Sequence, residues 1–166
     1  MNTPDRTLLI SLALTTGLLS GAWVWLSEQL QLISWVGFLG CTTYFSIPRQ
    51  GLLGLIRSMA ANVSGVLWAT CASLFTLFSD PLYSAVIGTG LVSFVMCIQS
   101  RLRLLCYVPG SFIGASALFG AQAEEVEVIA TLCLGGVMGF MMQSSGQLLV
   151  DLYLRLTRRY KQERVY

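Results

Sequence analysis

The chain is 166 residues long, 55% hydrophobic and only 11% charged, with a formal net charge of +2 and no histidine. A soluble domain carries about 25% charged residues, so this balance cannot cover a water-facing surface. It excludes a water-soluble globular fold and gives no basic face for nucleic acid.

Apolar runs recur at close to the ~20 residues that an α-helix needs to cross ~30 Å of hydrocarbon. Six spans are expected: Thr7–Ser27, Gln31–Pro48, Ser58–Ser79, Leu82–Ser100, Leu104–Ala121 and Val126–Val150. The first follows Arg6, as a secretory signal would, but it is too long for a signal's apolar region. Trp23 and Trp25 read as interfacial anchors, so it is kept as a span.

Span two contains GFLGCTTYF at 37–45, and span five contains SFIGASALF at 111–119, a spacing of 74. TGLLS at 16–20 returns as TGLVS at 89–93, and Gly65 of span three returns as Gly139 of span six. The repeating unit is three spans long, about 7–79 and 82–147. Three is odd, so the second copy must enter from the opposite side, giving two inverted repeats of the kind many transporters use. Shared helix-packing vocabulary without duplication is the alternative.

On span two, Phe38, Thr42 and Phe45 share one helical face with Gly40 opposite. Span five repeats this with Phe112, Ser116, Phe119 and Gly114. Two readings are open. Either the stripes line a narrow passage, whose rings set its width and whose hydroxyls replace a solute's water, or they face lipid while Gly40, Gly114, Gly65 and Gly139 pack helices closely. In the second case each hydroxyl can bond its own helix backbone. Asn62 in span three must face the interior, because an unpaired amide in hydrocarbon is costly. It is either interhelical glue or a lining group.

Gln99 at the end of span four, and Gln143–Gln147 near the end of span six, read as places where a helix leaves the membrane, or else as breaks that line a cavity where protein covers them. Pro109 opens span five, where its missing N–H costs little. Gly17, Gly21, Gly110, Gly135 and Gly136 add further small-residue spacing. In the tail, residues 148–166, Leu149, Leu152, Tyr153, Leu156 and Tyr160 form a stripe beside Arg155, Arg158 and Arg159. This predicts a short amphipathic helix at the cytoplasmic face, a topology anchor or a holder of anionic headgroups.

Sorting charges by loop gives one orientation. Arg6, Arg49, Arg57, Arg101, Arg103, Arg155, Arg158, Arg159, Lys161 and Arg164 all fall on one side, while the other loops hold Glu28, Asp80, Glu124, Glu125 and Glu127. Lys and Arg are retained in the cytoplasm, so both termini are expected there.

No Asp, Glu, Lys, Arg or His lies deep in a span, which disfavours a proton relay; sodium coupling through backbone carbonyls stays open. The five cysteines have no CxxC pairing and behave as small hydrophobes. No metal, cofactor or catalytic residue is expected, since no activating base or phosphate loop is present.

The segments SWVGFLGCTTYFSIP at 34–48, GVLWA at 65–69, MCIQS at 96–100 and VPGSFIGASALF at 108–119 resemble the YcdZ-like family of small bacterial inner-membrane proteins. The resemblance covers about residues 10–147. It implies inner-membrane residence and transfers no site residue. The size is similar to that of six-helix urea and amide channels, without a shared motif. The expectation is therefore an all-α membrane protein with a six-helix domain over 1–147. It is a homo-oligomeric passive channel or facilitator for a small neutral or weakly polar solute, with the lipid bilayer and that solute as partners. A non-transporting scaffold that binds a partner protein, or a sodium-coupled transporter, are the alternatives.

Overall fold

Helix ends follow from local chemistry. In the computed structural model, which describes residues 3–75 and 81–163, Leu32 and Ile33 are non-helical and Ile33 is extended, so the second helix begins only at Ser34. It stops at Ser46, because Ile47 is extended ahead of Pro48, as the residue before a proline is driven to be. Gly51 takes a φ of +87°, a conformation open to glycine without a side-chain penalty, and the next helix starts directly after it. Asp80, Ser79 and Arg164 lie outside the described residues, as do the side chains of Thr7, Arg158, Arg159, Tyr160 and Lys161.

The described residues form six α-helices, α1 (Thr3–Gln29), α2 (Ser34–Ser46), α3 (Leu52–Phe75), α4 (Pro81–Ile98), α5 (Val108–Ala121) and α6 (Glu125–Glu163), with a 3₁₀ turn at Gln99–Arg101. No strand occurs among them. Three helices are long and apolar enough to cross a membrane, over Leu9–Gln29, Leu52–Leu74 and Glu125–Leu156.

Helix lengths depart from the expected spans. α2, with 13 residues, is about 20 Å long at ~1.5 Å per residue, and α5, with 14, is about 21 Å. Both fall short of ~30 Å of hydrocarbon, so a crossing along either needs its non-helical flanks. α5 begins at Val108, with Pro109 in its first turn, where no N–H is needed. α6 runs unbroken through Gln143–Gln147 and on to Glu163. Ser145 bonds back to the Met141 and Met142 carbonyls at 2.6 and 3.1 Å, so its hydroxyl is satisfied within the helix.

The chain divides into two compact units. One joins residues 1–26 to residues 141–166. Here the Thr15 hydroxyl lies 3.1 Å from the carbonyls of Ser11, Leu12 and, across the helix pair, Met142. Gly146 admits the Leu12 side chain. Trp25 is exposed, as the anchor reading expects, but Trp23 is buried. Gly17 and Gly21 have nothing near the position of a Cβ.

The second unit, residues 27–140, is held by glycine contacts between helix backbones. A Cβ at Gly40 would fall on the Leu132 carbonyl of α6, and one at Gly135 on the Gly37 carbonyl of α2. Likewise Gly65 of α3 abuts the Ser111 carbonyl of α5, and Gly114 of α5 abuts the Asn62 carbonyl of α3. At Gly139 a Cβ would stand 3.2 Å from the Cys41 oxygen. Around these contacts sits a small core of Val36, Val66, Ala117, Val128 and Leu132, all fully buried. Tyr44 closes the α2–α3 connection, its hydroxyl accepting from the Gly51 N–H at 3.1 Å.

Candidate functional site

The second unit carries its polar interior on α3. Ser64 and Trp68 are four residues apart, hence stacked on one helical face. Opposite them, Ser111 sits in the first turns of α5, brought close because Gly65 lets the α5 backbone approach. The third contributor is the 3₁₀ turn, whose Arg101 and following Leu102, Arg103 and Leu104 are exposed while Gln99 is buried. A surface turn thus sends a single amide inward.

The four side chains form a closed network. The Trp68 Nε1–H donates to Gln99 Oε1 at 2.9 Å. Gln99 Nε2 donates to Ser64 Oγ at 3.1 Å and to Ser111 Oγ at 2.9 Å. The two hydroxyls lie 3.0 Å apart, and Ser64 Oγ donates to the Ala61 carbonyl at 2.8 Å, so Ser111 is the donor to Ser64. An indole N–H can only donate; that fixes which end of the Gln99 amide faces Trp68.

Two residues before Ser64, Asn62 is buried and its Oδ1 accepts from the Thr43 hydroxyl of α2 at 2.9 Å. Thr43 also lies 3.0 Å from the Leu39 carbonyl. The six stripe residues are elsewhere. Thr42, Phe112, Ser116 and Phe119 are exposed, and Phe38 and Phe45 are half-buried. The Thr42 hydroxyl bonds its own helix at the Phe38 carbonyl, 2.8 Å away. Within one chain these stripes belong to the outer surface and are not joined to Asn62 or the Gln99 network.

Every buried polar side chain among the described residues is neutral: hydroxyls, amides and nothing ionised. Two buried hydroxyls, those of Thr70 and Thr131, have no hydrogen-bond partner among the described residues. The Trp68 ring also borders a cleft of about 120 Å³ between α3 and α4, lined with it by Cys71, Ala72, Gly88, Leu91, Val92 and Val95. No group of three potential metal ligands occurs among the described residues. In the sequence Gln99 stands out as a helix end or a covered break, whereas Ser64, Trp68 and Ser111 are not singled out. The available signal was the pairing of a hydroxyl with an indole one turn apart in mid-helix.

The family described as "Protein of unknown function (DUF1097)" matches residues 13–147. Inner membrane protein YcdZ of Escherichia coli (strain K12) is 46% identical over 142 residues, covering 84% of this chain and 86% of that protein. Its namesake from Salmonella typhimurium is 44% identical over 140 residues, covering 84% and 88%. Uncharacterized protein YahC of E. coli K12 is 29% identical over 155 residues, covering 86% and 93%. No solved structure matches the chain. With long apolar helices, a family match over most of its length and near relatives named for the inner membrane, this is a membrane protein that belongs to the DUF1097 family together with YcdZ.

Proposed function

We propose that the protein is a passive facilitator in the bacterial inner membrane for a small, neutral, polar or weakly polar solute, and that it performs no catalysis. The neutral interior carries this reading. Hydroxyls and amides buried without one formal charge can replace a neutral solute's hydration, whereas proton-driven transport calls for intramembrane ionisable groups. Residence in the inner membrane is taken over from the relatives' names.

The reading includes six crossings arranged as two inverted repeats with both termini in the cytoplasm. Its support is a correspondence among contacts. Shifting by 74 turns Gly40 into Gly114 and Gly65 into Gly139. Under that shift the pair α2 and α6 exchanges with the pair α5 and α3, and the carbonyls that the glycines meet correspond to within about one helical turn. Short helices at matching places in two halves are also the usual pointer to a transporter's binding region, and α2 and α5 are the short pair here. Solute contact is assigned to the interior groups, Asn62 among them. The exposed stripes of Phe38, Thr42, Phe45, Phe112, Ser116 and Phe119 are assigned to the contact between copies of a homo-oligomer.

Purified protein in liposomes tests this by stopped-flow light scattering. Urea, acetamide or glycerol should enter faster than into empty vesicles, with no imposed ion gradient. Equal rates across the panel would overturn the reading, and flux that needs a sodium gradient would replace it with coupled transport. The scaffold reading has its own observation, the exposed Phe112 and Phe119 rings beside glycine faces already filled by backbone. It predicts no flux and a stably bound second protein.

A further inference from the structure

The Gln99 network is a cradle with a definite hydrogen-bonding pattern. With Ser64 donating to Ala61 and Ser111 donating to Ser64, each hydroxyl oxygen keeps a lone pair for one Nε2 hydrogen. The indole supplies the single donor. One donor facing a carbonyl oxygen and two acceptors facing an NH₂ group are the complement of a primary carboxamide. A carboxylate would bring a charge into a neutral, buried place and set its lone pairs against those of the hydroxyls. An ammonium ion would leave the indole N–H without an acceptor.

The group filling the cradle comes from the least regular part of the neighbourhood. Gln99 opens a 3₁₀ turn, a geometry with poorer hydrogen bonds than an α-helix. Beyond it the chain stays non-helical to Tyr107, with short bonds from Leu102 N to Gln99 O and from Leu105 N to Leu102 O, each 2.9 Å. The cradle itself stands on α3 and α5, whose backbones are locked together at Gly65 and Gly114. The rigid part receives and the irregular part inserts.

We propose that Ser64, Ser111 and the Trp68 indole form a carboxamide-recognising site, filled in this structure by the protein's own Gln99, whose place a small primary amide or urea takes when the 99–101 turn moves. The identity of the solute class rests on the facilitator reading; the chemistry of the site does not.

Gln99→Ala empties the cradle, and the test is the thermal midpoint of the full-length variant in detergent with added propionamide. The midpoint should rise by about 3–6 °C at ten times the dissociation constant and logarithmically with concentration beyond it. Propionate and isobutanol, close in shape, should give no such rise, and adding Trp68→Phe or Ser111→Ala to Gln99→Ala should abolish it. Gln99→Asn, one methylene shorter, gives the same readout where the alanine variant does not survive purification. A response equal for amide, acid and alcohol, or one that persists without the Trp68 N–H, overturns the site. Rescue without solute flux in liposomes keeps the site and removes the facilitator reading; flux without rescue does the reverse.

Discussion

Replacing Gln99 by leucine keeps its bulk and removes three hydrogen bonds at once, leaving the N–H of the half-buried Trp68 without an acceptor. An orphaned buried donor costs about 1–3 kcal/mol, so Gln99→Leu should lower the thermal midpoint by several degrees. Trp68→Phe in the same background should recover part of the loss, because the orphan goes with it. A midpoint for Gln99→Leu equal to that of the parent would show that the network contributes nothing. The Thr43–Asn62 bond is a smaller matter, a single neutral contact between α2 and α3. A double-mutant cycle of Thr43→Val with Asn62→Leu should give a coupling of about 0.6 kcal/mol, in the range of bonds between membrane helices. That Asn62 is buried was legible from the cost of a bare amide in hydrocarbon. Gln99 was not, because a glutamine at a helix end is ordinarily solvated; only the fold shows that this one turns inward towards two serines and an indole.

Among helices, the contacts depend on missing side chains. Gly114→Ala would put a methyl group on the Asn62 carbonyl, and Gly65→Ala would put one on that of Ser111; backbone cannot rotate away as a side chain can. Overpacking of this kind costs about 1–3 kcal/mol, and each variant should lose yield and thermal stability. Gly17→Ala is the control, because open space surrounds that position. It should be neutral or gain up to about 1 kcal/mol from helix propensity. A loss at Gly17 equal to that at Gly114 would point to helix contacts other than those described. The number and type of helices were readable from apolar run lengths. Their ends were less so: Leu32, Ile33 and Ile47 beside α2 and residues 104–107 before α5 are non-helical yet as apolar as helix interiors, while the polar run at Gln143–Gln147 stays helical, with Ser145 bonding back within its own helix. Trp23 was read as an interfacial anchor from its neighbour Trp25, yet it lies on the opposite, buried side of α1.

For the whole molecule, composition decides the solvent, and the charges give the expected orientation. An 11% charged chain with long apolar helices needs lipid around it, and family membership places it beside inner-membrane relatives. In the proposed six-crossing arrangement all ten cations fall on one side, a pattern that an added or missing crossing would scramble. The proposed antiparallel arrangement of two three-helix units is the central claim, since it would relate the α2·α6 and α5·α3 contacts to each other. It is tested most directly by mapping single cysteines, in a background without the native five, with a membrane-impermeant thiol reagent on intact cells. Cysteines at positions 49, 101 and 155 should be protected until the cells are opened, and those at 28 and 124 should react at once. Labelling of 49 or 101 from outside, or protection of both 28 and 124, would contradict it.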